Sequence, residues 1–449
     1  MNASVNAYFD TLTGKRVAVL GIGVSNRPLI RMLLARGIET LACDKTPRDA
    51  LDPEVLLHVG PDYLDGITAD VVFRTPGMHP DIPALRQLRE AGASVTSEME
   101  VFFEVCPCKI IAVTGSDGKT TTTTLIAEIL KHAGRRVWLG GNIGTPLLPV
   151  AEKMEPDDIA VVELSSFQLM GMTRSADVAV VTNLAPNHLD VHKDMAEYIA
   201  AKQNVYLHQS RTGKLVVNMD NAITDGFAES APGTVEKFSR LGRPERGVWL
   251  NGDTIYRNDT PIMKAADIRI PGVHNIENYM AAACAVEGLA TDADIDAVAK
   301  SFPGVEHRIE FVRELDGVKY YNDSIASSPS RTIAGLHSFH QKVILIAGGY
   351  DKHIPFDVLG PEVCAHVKAL VLCGATAAKI RAAVESAPGY KAGTPDILEA
   401  HTLSEAVHLA KSAAHPGDIV TLSPACAAFD QFKNFAVRGN TYKQLVNAL

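Results

Sequence analysis

The residues best suited to chemistry in this sequence form a glycine-containing loop followed by a lysine and a threonine. In KIIAVTGSDGKTTTTTLIAEIL, an apolar run leads into Gly115 and Gly118, and Lys119 and Thr120 then open a stretch of helical periodicity. The backbone N–H groups of such a loop and the helix N-terminus hold phosphates, while the lysine offsets their charge and the threonine can ligate Mg²⁺. A P-loop has the pattern G-x-x-x-x-G-K-[ST], but Val113 occupies the position of its first glycine. The sequence therefore predicts a phosphate-binding loop of shortened form.

Two further side chains could supply metal ligands near those phosphates. Glu163 directly follows the apolar run of DIAVVELSS, where P-loop enzymes keep the carboxylate that supports magnesium. A glutamate that ends a strand by chance is the alternative. His188 and His192 have the i, i+4 spacing of a helical zinc pair, but the glutamate of H-E-x-x-H is absent and Pro186 starts a turn just before them. We therefore prefer His188 as an oxygen or magnesium ligand.

The first strand and turn carry two of the three glycines of a dinucleotide fingerprint. VAVLGIGVSN contains Gly21 and Gly23, but Asn26 holds the third position, and Asp44 follows the next strand. The loss of the third glycine weakens the case for NAD, and a dehydrogenase would leave everything beyond the first hundred residues unexplained. A mononucleotide or nucleotide-sugar site is expected, with a Rossmann-like turn that binds no ligand as the alternative.

Three polar residues on predicted helices are ambiguous by spacing alone. Lys202, in AEYIAAKQNVY, has the pattern of a solvated surface charge. Asn275 and Asn278, in a helix predicted to begin near His274, are typical of helix caps, although two asparagines beside an aromatic residue could instead contact an adenine.

Charged residues in the last third of the chain indicate a second substrate. Arg308, Asp323, Lys352 and Lys433 lie in turns that precede or follow apolar runs. An ATPase alone would not need a further domain with these charges in its ligand-side loops.

The elements that would position these residues alternate between short apolar runs and helical stretches, which predicts α/β domains with mostly parallel sheets. The clearest runs are RVAVLGIG, DVVFRTPG, KIIAVTGSDG, DIAVVELSS, VAVVTNLAPN, KLVVNMDN, KVILIAGGYD, VKALVLCG and DIVTLSPA. Ligands of open α/β sheets bind outside the carboxyl ends of the strands, where nearly all of the candidate residues lie. A length of 449 residues is too great for one ordinary core, and we predict three domains at 1–105, 106–304 and 305–449.

Composition excludes several function classes. The chain is 46% apolar and 21% charged with a net charge of −9, which argues for a globular protein and against nucleic acid as a partner. Of the seven cysteines only Cys106 and Cys108 lie close together, at a spacing that matches no common zinc pair, so we expect free thiols in a reducing compartment. The sequence shows no signal-peptide core and no apolar run of about 18 residues, which predicts a cytoplasmic protein without membrane insertion.

Ten motifs along essentially the whole chain together resemble the Mur ligases of peptidoglycan synthesis, and most closely the branch that adds D-glutamate. They are TGSDGKTTT, GGNIG, ELSSFQL, NHLDVH, AEYIAAKQNVY, HNIENYMAA, HRIEFV, NDSIAS, GGYDK and SPACAAFDQFKNFAVRG. The resemblance implies a Rossmann-like N-terminal domain for the uridine nucleotide, a central P-loop mononucleotide-binding domain for ATP, and a Rossmann-like C-terminal α/β domain for the amino acid. The shortened phosphate loop is the form found in this family.

The resemblance also implies site residues. Those implied for ATP are Gly115, Ser116, Asp117, Gly118, Lys119, Thr120, Thr121, Asn275, Arg308 and Asp323. Those implied for the UDP-muramoyl substrate are Ser25, Asp44, Lys45, Thr75, Asn142, Ser165 and His188. Those implied for D-glutamate are Ser327, Lys352 and Phe435. The implied catalytic residues are Lys119, His188 and Lys202, and the implied metal ligands are Thr120, Glu163, His188 and Lys202.

The implied reaction joins D-glutamate to UDP-MurNAc-L-Ala with ATP as the energy source and two Mg²⁺ ions, in a monomer whose C-terminal domain closes over the site. Lys202 is the lysine expected to be carbamylated, which requires a neutral amine. Two departures concern the amino-acid pocket: Ile325 replaces the lysine of D-S-K-A-T, and Ala428 replaces the last serine of SPACAS. The alternatives are a related Mur or folylpolyglutamate-type ligase for another amino acid, and a catalytically silent nucleotide-sugar binding protein.

Overall fold

The computed structural model describes residues 3–46, 55–185, 191–352 and 354–449. The strands are β1 Val17–Leu20, β2 Thr40–Asp44, β3 Leu56–Val59, β4 Val71–Arg74, β5 Ser94–Thr96, β6 Lys109–Thr114, β7 Val137–Gly141, β8 Ile159–Glu163, β9 Val178–Val181, β10 Lys214–Asn218, β11 Thr234–Ser239, β12 Gly247–Asn251, β13 Thr254–Arg257, β14 Thr260–Lys264, β15 Glu310–Leu315, β16 Val318–Asn322, β17 Val343–Ala347, β18 Val367–Cys373, β19 Asp396–Ala400 and β20 Ile419–Leu422.

The α-helices alternate with these strands, and short 3₁₀ turns complete the order. The helices are α1 Ala3–Asp10, α2 Asn26–Leu34, α3 Pro83–Glu90, α4 Glu98–Val105, α5 Lys119–His132, α6 Ser166–Leu169, α7 Met195–Gln203, α8 Ala222–Asp225, α9 Val273–Ala285, α10 Asp292–Ser301, α11 Pro329–Leu336, α12 Leu359–His366, α13 Ala377–Glu385, α14 Leu403–Ala413 and α15 Phe435–Asn447. Among the helices of the described ranges, none is both long and apolar enough to span a bilayer.

Three sheets confirm the predicted α/β class with mostly parallel strands. The N-terminal sheet has the order β3-β2-β1-β4-β5 and is parallel throughout. The central sheet has the order β14-β13-β12-β11-β10-β9-β6-β8-β7, and it is antiparallel only at β12-β13-β14. The C-terminal sheet has the order β15-β16-β20-β17-β18-β19, with β15-β16 as its antiparallel pair. All nine apolar runs identified in the sequence are strands of these sheets.

The strands next to the phosphate loop are apolar because helices or other segments of the same chain cover both faces of the central sheet. All residues of β8 and β9 are buried, as are those of β6 after Lys109, which is the pattern of parallel strands in α/β proteins. The predicted apolar face of α5, formed by Leu125, Ile126, Ile129 and Leu130, is fully buried. Burial of about four such side chains fixes α5 on the sheet, since each contributes roughly 1.5–3 kcal/mol.

The chain divides into two compact units. The first unit comprises Met1–Asp267 and Ile276–Val298 and contains the N-terminal and central sheets, and one buried apolar cluster in it runs from Val5 to Phe227. The second unit comprises Ile268–Asn275 and Ala299–Leu449 and contains the C-terminal sheet, with a buried cluster on each face.

Candidate active site

The phosphate loop joins the end of β6 to the start of α5 and requires glycine at two positions. Gly115 has φ 148° and Gly118 has φ 75° in the left-handed region, which glycine adopts without the steric cost of a Cβ. A Cβ at Gly115 would collide with the Thr182 hydroxyl, and one at Gly118 would collide with the Asn278 side-chain oxygen. The loop is therefore packed closely against β9 and α9, and its glycines are needed for that approach.

The other loop residues anchor it to the same neighbours. Ser116 is buried, and its Oγ lies 2.9 Å from the Ala185 carbonyl, to which it donates, and 3.0 Å from the Tyr198 hydroxyl. The backbone N–H of Asp117 donates to Asn183 Oδ1 over 2.9 Å. These bonds hold the loop open at the N-terminus of α5, so that its backbone amides and the helix dipole favour an anion there.

The Lys119 side chain folds back over the loop, where its positive charge could offset the negative charge of a phosphate group. Its Nζ donates to the Gly115 and Ser116 carbonyls over 3.0 and 2.9 Å, and its side chain is half-buried. Thr120 is the second residue of α5 and is also half-buried, while Thr121 is buried. The structure thus brings the predicted phosphate-binding residues together in one strand-loop-helix unit.

Glu163 is a buried carboxylate at the end of β8 with one oxygen left unbonded. It is 1% exposed, and its Oε1 accepts a hydrogen bond of 2.8 Å from Nδ2 of Asn142, which is exposed. Its Oε2 is buried and has no hydrogen-bond partner. A buried carboxylate oxygen without a partner carries a large desolvation cost, which a bound cation would offset. The residue therefore fits a magnesium ligand.

Lys202 is 1% exposed, so the surface-charge interpretation of its spacing is wrong. Its Nζ donates to Gly115 O over 2.8 Å and to Thr114 Oγ1 over 3.1 Å, and it lies 4.9 Å from the centre of the Tyr198 ring. Burial, and then the positive charge of Lys119, lower the pKa of Lys202 well below its usual value, against the opposing charge of Glu163. A lysine with a lowered pKa holds more neutral amine at neutral pH.

The predicted histidine ligand His188 lies outside the described residues. His192 is buried, its Nε2 lies 2.9 Å from Ser166 Oγ, and its ring stacks on Phe167 with 5.4 Å between the ring centres. These contacts give His192 a structural role in the packing of α6 and disfavour the zinc pair, as the sequence analysis did.

In the N-terminal sheet, the predicted uridine-side residues surround the turn after β1. Gly21 has φ 87°, and a Cβ there would press on the side chain of Thr75, which follows β4. Asp44 Oδ2 accepts a hydrogen bond of 2.8 Å from the N–H of Ile22. Because β1 and β4 are adjacent in a sheet whose order reverses between them, these residues border its topological switch point.

The remaining residues predicted for the UDP-substrate differ in their surroundings. Ser25 precedes α2 and makes no side-chain cap to it, and Lys45 is exposed. Ser165 caps α6: its Oγ accepts from the N–H of Gln168 over 3.3 Å, in a reciprocal capping box. Asn26, at the third glycine position, is buried and donates from Nδ2 to the Gly21 carbonyl over 2.8 Å. That bond ties the first turn of α2 to the loop after β1, at the position where a third glycine would allow the helix to pack closely on the strand.

In the second unit, Asp323 follows β16 and is buried. Its Oδ2 accepts a hydrogen bond of 2.7 Å from Ser423 Oγ, and its Oδ1 accepts one of 3.3 Å from the N–H of Ile309. Burial raises the pKa of Asp323 to about 7, although Ser423 and then the charge of Arg308 oppose the rise. Asn275 lies in another part of this unit, where its Nδ2 donates to the Pro271 carbonyl.

Two of the residues predicted for D-glutamate meet. Lys352 is exposed, and its Nζ lies 3.5 Å from the Ser327 carbonyl, to which it donates. Phe435 is partly exposed, and its ring packs edge-on against His307 with 5.8 Å between the ring centres. Of the two departures from the family pattern, Ile325 is half-buried and Ala428 is buried.

Sequence reasoning did not identify Arg438 as a site-forming residue. Its buried guanidinium donates to Ser324 Oγ over 3.0 Å and to the carbonyls of Ser324, Cys426 and Ala427 over 2.9, 3.0 and 3.1 Å. Burial lowers the pKa of Arg438 to about 10. It therefore fastens the NDSIAS loop to the SPACAA loop. The motif FAVRG contains this arginine, but nothing in its spacing signals burial.

Comparison with known proteins gives matches along the chain. Residues 113–286 match the family model described as Mur ligase middle domain, and residues 307–426 match Mur ligase, glutamate ligase domain. The chain is 52% identical to UDP-N-acetylmuramoylalanine-D-glutamate ligase of Acetivibrio thermocellus and 49% identical to that of Clostridium novyi, in each case over 100% of both chains.

Solved structures share the fold at much lower identity. The UDP-N-acetylmuramate-alanine ligase of Thermotoga maritima matches with a TM-score of 0.60 and 15% identity over 97% of this chain and 99% of its own. A UDP-N-acetylmuramoyl-L-alanyl-D-glutamate-2,6-diaminopimelate ligase matches with a TM-score of 0.57 and 18% identity over 97% and 92%.

Proposed function

The chain belongs to the Mur ligase family, and on that premise we propose that it is an ATP-dependent amide ligase that adds D-glutamate to UDP-N-acetylmuramoyl-L-alanine in peptidoglycan synthesis. The observation that carries the proposal is the phosphate loop with the buried Glu163 carboxylate and Lys202 amine beside it. This arrangement occurs in a chain 52% identical, over its whole length, to a relative named for that reaction.

The proposed chemistry follows from the poor reactivity of a carboxylate toward amines. The terminal L-alanine carboxylate attacks the γ-phosphorus of ATP, the bond to the bridging oxygen breaks, and ADP leaves. The amine of D-glutamate then attacks the carbonyl of the acyl phosphate, loses a proton, and the tetrahedral adduct expels phosphate. Lys119 is positioned to offset the charge on the transferred group, exchanging its bonds to the Gly115 and Ser116 carbonyls for bonds to phosphate oxygens.

Magnesium belongs to this proposal, with Thr120, Glu163, His188 and Lys202 as its predicted ligands. The unbonded buried Oε2 of Glu163 supports a cation there. Bound magnesium would supply positive charge to the phosphates during transfer. We propose two ions, as the family resemblance implies.

Lys202 contributes as a carbamate in this proposal. A neutral amine adds to CO₂ and releases one proton, which turns a potential cation into an anion able to bind a metal. The lowered pKa of Lys202 supports this step because it increases the neutral fraction of the amine. The Thr114 hydroxyl and Gly115 carbonyl at its Nζ hold it beside the phosphate loop.

Substrate positions are proposed from where the predicted residues lie. For the UDP-muramoyl substrate, the switch point between β1 and β4 supports a uridine site near Asp44 and Thr75. For D-glutamate, the Ser327 and Lys352 loops lie together, and Phe435 is the first residue of α15, where its carbonyl accepts a hydrogen bond of 2.8 Å from Ser324 Oγ. Three functional domains at 1–105, 106–304 and 305–449, a cytoplasmic location and a monomeric state stay predictions.

Amino-acid-dependent phosphate release tests the proposal. With ATP and UDP-MurNAc-L-Ala present, release should depend on D-glutamate and not on L-glutamate, L-lysine or meso-diaminopimelate. Lys119→Ala should abolish ligation, whereas Lys131→Ala, which removes an exposed lysine of the same helix paired with Glu128, should not. Dependence on another amino acid would contradict the assignment.

A ligase for a different amino acid is the second candidate, and the departures at Ile325 and Ala428 favour it. The first removes a positive charge and the second a hydroxyl from loops predicted to contact the amino acid. A silent nucleotide-sugar binding protein is the third, and it would bind nucleotide without any turnover. The same assay separates the three. The amino acid that triggers phosphate release distinguishes the two ligases, and a silent protein releases no phosphate with any of the amino acids.

A further inference from the structure

A cluster of two histidines and a glutamate lies on the second unit, in residues that no step of the proposed reaction uses. His337 caps the C-terminus of α11, while Glu362 and His366 occupy successive turns of α12 at an i, i+4 spacing. His337 Nε2 lies 2.7 Å from Glu362 Oε2, and His366 Nε2 lies 3.5 Å from the same oxygen. The ligand atoms all lie within 4.8 Å of one another.

We propose that His337, Glu362 and His366 form a binding site for a first-row divalent transition-metal ion, with Zn²⁺ as the preferred ion. Zinc bonds of about 2.0–2.2 Å to nitrogen and oxygen place two ligand atoms of a tetrahedral site roughly 3.3–3.5 Å apart. The 3.5 Å separation of His366 Nε2 from Glu362 Oε2 matches that spacing, whereas the 2.7 Å separation of His337 Nε2 from the same oxygen is a hydrogen-bond distance that must lengthen when an ion enters. Side-chain movements of about 1 Å would therefore complete three corners of a tetrahedron.

The helices hold these side chains in place through buried neighbours. Leu336 precedes His337, and Leu359 and Val363 flank Glu362 on α12. All three apolar side chains belong to one buried cluster of the second unit. Ligands carried on packed helices are positioned more sharply than ligands on loops, so less ordering is needed when a metal binds.

The electrostatic setting favours a cation. His337 lies at the C-cap of α11 and His366 is the last residue of α12. Each helix C-terminus carries a partial negative charge from carbonyls without intrahelical partners, although Lys342 Nζ donates to one of them, the Cys364 carbonyl of α12, over 3.0 Å. The centres of the His337 and His366 rings lie 4.9 Å apart. Glu362 adds a full negative charge.

The ligand set selects first-row transition metals over magnesium and calcium. Two imidazoles and one carboxylate suit zinc, copper or nickel, whereas magnesium and calcium prefer oxygen ligands in larger number. Three protein ligands leave a fourth position for water, as in exchangeable zinc sites rather than closed structural ones. A bound ion would join the C-terminal ends of α11 and α12.

The alternative is a surface imidazole–carboxylate network without metal, in which Glu362 accepts hydrogen bonds from one or both histidines. Such exposed pairs contribute little to stability. The two explanations differ in one measurable respect, since only the metal site gains a stoichiometric ion that depends on all three residues.

Zinc titration of untagged, metal-stripped full-length protein tests the proposal. With excess Mg²⁺ present to occupy magnesium sites, calorimetry should show one zinc equivalent that His337→Gln, Glu362→Gln and His366→Gln each weaken at least about tenfold. His408→Gln is the matched control, because it removes an exposed helix histidine outside the cluster. Cobalt substituted for zinc should give visible absorption bands that the same three variants lose.

Hydrogen exchange supplies a second readout, which reports where on the chain zinc binds. Zinc should slow backbone exchange in peptides covering α11 and α12 in the wild type and not in Glu362→Gln, which keeps the shape of the side chain. The proposal is overturned if the wild type binds no zinc equivalent, if the three variants bind zinc like His408→Gln, or if zinc protects only peptides elsewhere in the chain.

Discussion

Replacing Asp323 with asparagine should remove a specific pH dependence from the stability of the second unit. Asp323 is 4% exposed and accepts hydrogen bonds from Ser423 and from the N–H of Ile309. Burial raises the pKa of its carboxyl group from an ordinary value of 3.8 to about 7. Asparagine has nearly the same shape and does not titrate, so the substitution isolates the charge.

The direction in which pH changes the unfolding free energy follows from whether the folded or the unfolded state holds the Asp323 proton. Between about pH 4 and pH 7 the folded unit keeps the Asp323 proton while the unfolded chain releases it, so the unfolding free energy falls as pH rises. The slope approaches about 1.4 kcal/mol per pH unit in the middle of this range, and the raised pKa of Asp323 corresponds to a cost on the order of 4 kcal/mol once it is ionised. Below about pH 4 the carboxyl group is protonated in both states and the cost vanishes.

The assay is urea unfolding of the intact protein at pH 5, 6 and 7, followed by hydrogen exchange in peptides that cover β16 and β20. The unfolding free energy of Asp323→Asn relative to wild type should rise by about 1 kcal/mol for each pH unit over this range. Asp357→Asn, which changes an exposed carboxylate of the same unit, should follow the wild-type slope. Parallel pH profiles for wild type and Asp323→Asn would refute the reasoning, because Asp323 would then already be ionised in the folded protein at pH 5.

Three further predictions follow from the geometry of the two units. Gly118→Ala forces alanine into a left-handed backbone conformation that costs about 1 kcal/mol, and its Cβ collides with Asn278, so the KM for ATP should rise at least about tenfold. Adding Asn278→Ala should restore part of the lost affinity, and an unchanged KM in Gly118→Ala would contradict the clash. Arg438→Met leaves four hydrogen-bond acceptors without their donor and should lower the unfolding free energy of the second unit by about 3 kcal/mol, measured by urea unfolding. A decrease below about 1 kcal/mol would contradict the role assigned to the guanidinium. Removal of dissolved CO₂ should lower ligase activity and bicarbonate should restore it, while Lys202→Met should stay inactive in both conditions; activity independent of CO₂ would argue against the carbamate.

The parts of the structure that sequence could predict are those governed by local pattern. A buried parallel strand needs a continuous apolar run, and a glycine loop before a helix leaves its signature within about ten residues, so β6, the loop and α5 could be predicted together. The apolar face of α5 follows from helical periodicity alone, and its four predicted residues are fully buried.

The features that could not be predicted depend on residues distant in sequence. Lys202 has the local pattern of a surface lysine, yet its Nζ bonds to Thr114, 88 residues earlier. Asn278 resembles a helix cap, but its side chain accepts a hydrogen bond from Thr122, 156 residues away. Such contacts arise from how α7 and α9 pack against β6, its loop and α5, which single-residue patterns do not encode. The role of His188 stays a prediction because it lies outside the described residues.

The register of the central sheet accounts for both the shortened phosphate loop and the position of the metal-ligand candidate. Val113, at the position of the usual first glycine, is fully buried within β6 and pairs with Glu163 of β8. Its carbonyl accepts a hydrogen bond of 2.9 Å from the N–H of Leu164. A glycine at this point would weaken the strand by removing a buried side chain, whereas valine extends the strand to Thr114 and leaves only four residues for the loop. The same pairing places Glu163 beside Val113, one residue before the end of β6 and two before the glycine loop, so the absent glycine and the position of the carboxylate are two consequences of one strand alignment.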